Sequence, residues 1–107
     1  MKALISKIKE NMKQVTFLGE LCNVHTNHVY NNNRQVIELE IAETGEPMCV
    51  ATVNIPDVHL EKDEVIIKDY SENEGIFEIL LNAGIIKDTG KKAQTTFVQC
   101  PIAKLVE

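Results

Sequence analysis

Glu64-Val65-Ile66-Ile67-Lys68-Asp69-Tyr70-Ser71-Glu72-Asn73-Glu74-Gly75-Ile76-Phe77 decides how this chain is read, because a strand-like apolar run passes through a dense acidic turn into a helical pattern. Ser71 and Glu74 have the S-x-x-E spacing of a capping box, in which a serine oxygen and a glutamate carboxylate satisfy amides that the first helical turn leaves unpaired. Ile76, Phe77, Leu80 and Leu81 then follow the three-and-four spacing of one buried face, and Gly84 falls where a left-handed C-terminal cap is wanted. The spacing predicts one helix over about residues 71–83.

Upstream of this stretch the pattern is that of a sheet. Residues 15 to 30 are rich in β-branched and aromatic side chains, with Cys22, Val24, Thr26, His28 and Tyr30 alternating with polar neighbours, and Gly19 marks an interruption. Asn31-Asn32-Asn33 reads as a turn, since asparagine tolerates left-handed backbone. Gln35, Ile37, Leu39 and Ile41 form the inward side of the clearest strand. Gly45 carries a hairpin loop, and residues 48 to 55 return as the next strand, which completes a three-stranded antiparallel meander. Pro56 ends it. Downstream of the helix, Ile85 and Ile86 are extended, Asp88-Thr89-Gly90 reads as a turn, and a late strand over residues 95 to 100 meets Pro101, which implies a sheet edge or a bulge.

At the N-terminus, Leu4, Ile5, Ile8 and Met12 share one face of an amphipathic helix predicted over about residues 3–13. Lys2, Lys7, Lys9 and Lys13 against Glu10 give residues 2–13 a charge of +3, but the segment's length and lack of bulky aromatics favour packing on the sheet over membrane binding. The expected fold is therefore α+β: a small, mainly antiparallel sheet packed against one central helix, with the N-terminal helix at its edge or second face, in a single domain over residues 1–107. Ile37, Leu39, Ile41, Val53, Ile67, Phe77, Leu80 and Leu81 are the expected core.

Composition narrows the function classes. A chain of 107 residues with a net charge of −5 and a pI near 5.2 lacks the clustered cations needed to displace counterions from a phosphate backbone, so direct nucleic-acid binding is not expected. At this length a homodimer or a host partner would add stability. No apolar run approaches the roughly 18 residues that span a bilayer, and the N-terminus has no uninterrupted apolar core of a secretory signal, which makes the cytoplasm the expected compartment. Cys22, Cys49 and Cys100 form an odd set without a CxxC pair, as expected of reduced, buried thiols.

Catalytic motifs are missing from the sequence. There is no Gly-rich phosphate loop, GxSxG elbow or HExxH helix, so no cofactor is expected and a catalytic role is the less favoured reading. Cys22-x-x-His25-x-x-His28 is rich in soft ligands, but on a regular strand residues three apart face opposite ways, which opposes a metal site. Cys100 has no neighbouring lysine or arginine to favour a thiolate nucleophile. Charge is more informative: eight carboxylates against two lysines between Asp57 and Glu78 leave −6, more than the net charge of the whole chain. Such a segment is either a solvated face that also suits a helix N-terminus or a face that steers a basic partner.

A resemblance covers roughly residues 47–103, carried by Ala51-Thr52-Val53-Asn54-Ile55-Pro56, the run Lys68-Asp69-Tyr70-Ser71-Glu72-Asn73-Glu74-Gly75, Ala83-Gly84-Ile85-Ile86 and Cys100-Pro101-Ile102. In these segments the chain resembles a family of small uncharacterised proteins carried by bacterial phages and mobile elements. The resemblance implies a bacterial mobile-element setting, in which small proteins often bind a host protein.

These readings together predict a non-catalytic protein-binding module, a candidate inhibitor or modulator of a host or defence protein, acting through Asp69, Tyr70, Glu72, Asn73 and Glu74. The competing expectation is a small-molecule binder or small enzyme with a pocket at the start of the central helix. There the carboxylates and the capping box would disfavour an anion, leaving a neutral or cationic ligand.

Overall fold

The computed structural model of the chain describes residues 13–106, and within them the architecture is mostly β rather than the expected α+β. Strands β1 (Lys13–Phe17), β2 (Glu20–Val29), β3 (Gln35–Ile41) and β4 (Pro47–Val50) form an antiparallel sheet in sequential order. Strands β5 (Glu64–Ile66), β6 (Ile86–Gln94) and β7 (Gln99–Leu105) form a second antiparallel sheet with β7 in the middle. The only α-helix among the described residues, α1 (Ile76–Asn82), has seven residues. The helix expected over about residues 3–13 lies outside the described residues apart from Lys13, which opens β1.

The meander forms where alternation predicts it. Val15 faces Cys22 across β1 and β2, and Val24 faces Leu39 across β2 and β3, so these four buried side chains line one side of the sheet. Leu18 and Gly19 join β1 to β2 with left-handed backbone at both positions (φ 52° and 81°), the geometry of a two-residue hairpin turn. Asn33 supplies the left-handed residue (φ 66°) between β2 and β3.

The return strand expected over residues 48 to 55 divides in two. After β4, Ala51 still donates its amide to Ile37 O at 2.8 Å, while Lys68 N donates to Ala51 O at 2.7 Å and Val53 N to Ile66 O at 3.0 Å. Thr52 thereby bridges to Ile67 and stitches the two sheets together. Arg34 fastens the loop that follows, donating to the carbonyls of Ile55 (2.7 Å) and Val58.

The single helix predicted over about residues 71–83 is also divided. Residues Ser71–Asn73 make one 3-10 turn, Gly75 is left-handed (φ 96°), and α1 begins only at Ile76. Ser71 itself is left-handed (φ 54°) and its side chain caps nothing, so the expected capping box is absent. A helix of two turns is marginal by itself, and its stability comes from tertiary contact of Ile76 and Leu80, which are fully buried. It packs on β1 and β6, the outer strand of each sheet. Its C-terminal end follows the sequence: Gly84 (φ 74°) donates to Leu81 O and Ile85 N to Leu80 O, the paired bonds of a Schellman motif.

Beyond the helix, two expectations give way to a longer ladder. Asp88-Thr89-Gly90 does not turn the chain; it bulges within β6, where residues 89 to 91 oppose only Ile102 of β7. Thr89 Oγ1 donates to Ile102 O at 2.6 Å and Gly90 takes the left-handed position (φ 79°), which keeps the strand on course. Residues 95 to 98 are the hairpin loop rather than a strand, closed by Thr95 N donating to Val98 O at 2.8 Å. Pro101 therefore sits in the central strand, beside the bulge that its missing N–H calls for.

The main core lies between the two sheets and α1, and a smaller cluster of Ile66, Ala93, Cys100 and Ile102 lies on the other side of the second sheet. Ile37, Leu39, Ile67 and Leu80 are buried as expected, whereas Ile41, Val53, Phe77 and Leu81 are only half-buried.

Candidate functional site

The acidic turn overlies an open cleft of about 450 Å³ between β4, the stitching segment and the 3-10 turn. Tyr70, Glu72 and Asn73 of the turn line it, joined by Lys68 and by Tyr30, Cys49 and Thr52 from the meander. Its polar groups are placed by main-chain anchors. Asn73, 1% exposed, donates from Nδ2 to Val50 O at 2.7 Å, which fixes the orientation of its amide, and its Oδ1 has no hydrogen-bond partner within the described chain. Tyr30 Oη and Thr52 Oγ1 share a hydrogen bond of 3.0 Å, and Thr52 Oγ1 also accepts from Ile37 N at 3.4 Å.

At the rim, Lys68 Nζ bonds Glu72 Oε1 at 2.6 Å and lies 5.6 Å from the centre of the Tyr70 ring. The hydrogen bond raises the lysine pKa and lowers that of the glutamate, so both are charged at neutral pH and cancel each other locally. Glu72 is largely exposed, and such a pair adds little stability.

Asp69 and Glu74, the remaining predicted site residues, do not line this cleft. Asp69 Oδ1 accepts from Gly75 N at 2.9 Å and Phe77 N at 3.2 Å and so occupies the amides at the start of α1. Those amides are thereby closed to an anion, which the sequence already disfavoured there, through Asp69 rather than through a capping box. Glu74 is exposed. The acidic segment is likewise less bare than its count implies, since Glu64 pairs with Lys91 and Glu72 with Lys68. Asp57, Glu74 and Glu78 stay exposed without an ion pair among the described residues.

The histidines depart from the regular-strand argument. A register shift between His25 and His28 turns both toward the same cleft of about 390 Å³, with Glu38 and Glu40 from β3. His28 Nδ1 lies 2.6 Å from Glu38 Oε1 and His25 Nε2 lies 2.9 Å from Glu40 Oε1, the latter off-axis for a hydrogen bond. His25 and then the Asn23 amide hold the Glu40 carboxyl below its ordinary pKa. Among the described residues no three such ligands converge on a point where a metal ion would sit.

The cysteines are poor nucleophiles. Burial pushes the Cys49 thiol up to about 11 and raises those of Cys22 and Cys100, so all three are protonated at neutral pH. Tyr30 and Thr52 are the site residues that sequence reasoning missed. Tyr30 directly follows β2 and Thr52 lies in the stretch expected as the return strand, and nothing local signals that a bond joins them across 22 positions.

No family model, curated protein or solved structure matches the chain. No helix among the described residues is long and apolar enough to cross a membrane.

Proposed function

We propose that this chain is a non-catalytic binding module for another protein, with residues 69 to 74 and the cleft beneath them as its recognition surface. One observation carries the reading: Tyr70, Glu72 and Asn73 stand with Tyr30 and Thr52 around one open cleft. The thiol in its wall, Cys49, is held neutral, which favours recognition over covalent chemistry. Exposed Glu74, in the same turn and without an ion pair among the described residues, adds a charge that steers a basic surface. The mobile-element resemblance directs the search to a host or defence protein of a bacterial cell.

The test is capture from bacterial lysate on the immobilised chain, followed by association kinetics with the purified partner. Glu74→Lys is expected to slow association, and the wild-type association rate is expected to fall as salt rises. Recovery of no specific partner, or an association rate indifferent to both charge and salt, would overturn the reading.

A further inference from the structure

We infer that a second cleft, lined by Lys62, Lys87 and Lys104, binds the dianionic phosphoryl group of a phosphate monoester. This cleft of about 500 Å³ lies at the end of the second sheet away from the β6–β7 hairpin. It shares no residue with the cleft under the acidic turn, so the inference stands apart from the protein-binding reading. Lys87 of β6 and Lys104 of β7 are directly opposite each other in the ladder. Like charges in that position cost a sheet stability, where opposite charges would have added to it. Lys62, from the loop that leads into β5, brings a third cation to the same place. None of the three makes an ion pair among the described residues, although Lys68 and Lys91 are both paired and the chain holds 16 Asp and Glu against 11 Lys and Arg. A shortage of carboxylates therefore does not account for the group.

The carboxylates nearby are committed elsewhere. Glu64 flanks Lys104 on β5, but both of its oxygens bond Lys91. Asp88, next to Lys87, accepts from Gly90 N at 2.8 Å. Asp63 is the one carboxylate among the described residues that lines the cleft. Three ammonium groups less one carboxylate leave +2, which matches the charge of about −1.5 to −2 that a phosphate monoester carries at pH 7. A carboxylate or a phosphodiester, with one negative charge, leaves half of it uncancelled. The main chain offers no amide cradle, since Leu105 N is bonded to Asp63 O and Val106 N to Ile85 O, both at 2.9 Å. Recognition therefore falls to the lysines, whose flexible stems and rotatable donors can close on phosphoryl oxygens as point charges. Glu107, which follows the cleft residue Val106 in the sequence, is the competing counter-charge within the chain.

NMR titration of the whole chain, at constant ionic strength and about pH 7.5, compares methyl phosphate with its monoanionic diester, dimethyl phosphate. Methyl phosphate is expected to shift the backbone amides of Lys87 and Lys104 saturably, with dimethyl phosphate about fivefold weaker. Lys104→Gln is expected to weaken methyl phosphate about three- to fivefold without lowering the melting temperature, since it also removes a like-charge contact. Lys92→Gln, at an exposed lysine outside this cleft, is expected to change neither. Equal responses to the two probes, or equal losses in the two variants, mean an adventitious ion only and overturn the inference. A Lys104→Gln variant that loses stability but keeps its methyl phosphate binding makes the lysine structural and also overturns it. So does binding that appears only in Glu107→Gln, because the chain's own carboxylate then serves as the counter-charge. Two further probes distinguish the sources of the phosphoryl group. Tighter binding of glycerol monophosphate assigns the site to a free small molecule, and tighter binding of the N-acetyl methylamide of phosphoserine assigns it to a phosphorylated side chain of another protein.

Discussion

Asp69 Oδ1 accepts a hydrogen bond from the amide of Gly75 at 2.9 Å, across a turn that separates the two residues by six positions. The same oxygen accepts from Phe77 N, so one carboxylate closes the turn and caps the helix that follows. Asp69→Ala is expected to destabilise the protein by about 0.5 to 2 kcal/mol. Ser71→Ala, at the position a capping box would use, is expected to stay within about 0.5 kcal/mol. Urea denaturation of the two variants checks the order, and equal losses would mean that Asp69 is not the cap.

Gly84 ends α1 with φ at 74°, and a Cβ built there meets no heavy atom within 4 Å. Any loss on Gly84→Ala therefore comes from backbone conformation alone. The expected loss is about 1 to 2 kcal/mol, the cost of left-handed backbone for a residue with a Cβ. A neutral effect in thermal or chemical denaturation would show that the helix ends in some other way.

Leu80 is fully buried where α1 meets the outer strands of both sheets. Leu80→Ala is expected to cost about 2 to 5 kcal/mol, combining lost transfer energy with the cavity left behind. Chemical denaturation tests this, and a loss below about 1 kcal/mol would contradict the packing of the helix.

Glu64 is 8% exposed, bonds Lys91 Nζ through both carboxylate oxygens (2.9 and 2.7 Å), and accepts from Glu61 N at 2.8 Å. The Lys91 hydrogen bond outweighs the opposing effect of burial and lowers the folded-state pKa below the ordinary 4.5. A carboxylate with a depressed folded pKa stabilises the protein fully above its unfolded value and loses that contribution as pH falls through the folded one. Melting temperature is therefore expected to drop below about pH 4.5, and Glu64→Gln is expected to flatten that drop while lowering stability at pH 7 by about 1.5 to 3 kcal/mol. An unchanged pH profile in the variant would remove Glu64 from the account.

Much of the local structure is legible in the chain because its cause is local. The alternation from Gln35 to Ile41 requires one wet and one dry face, and β3 forms there. Gly84 is wanted where the apolar helical period stops, and it adopts the left-handed backbone that L side chains resist. Asn33 and Gly45 likewise stand at left-handed turn positions that their sequence neighbours predict.

Where two local solutions compete, the chain's remote parts choose between them. Ser71 and Glu74 spell a capping box, yet Ala51 draws Lys68 into the stitch between the sheets and Asn73 is anchored on Val50. The turn is then held at both ends and Asp69 reaches the helix start. His25 and His28 share a face only because β2 slips in register against β3, a shift that no spacing announces.

The sequence by itself determined the meander, the position of the helix end and the run of polar residues ahead of it, since each depends on periodicity or on one residue's backbone freedom. Only the tertiary structure decided that the fold is mostly β, that the helix has two turns, and that Tyr30, Thr52 and Asn73 surround one cleft. The physical reason is that such pairings join residues some twenty positions apart, where loop closure, burial and the satisfaction of main-chain groups are settled across the whole chain at once.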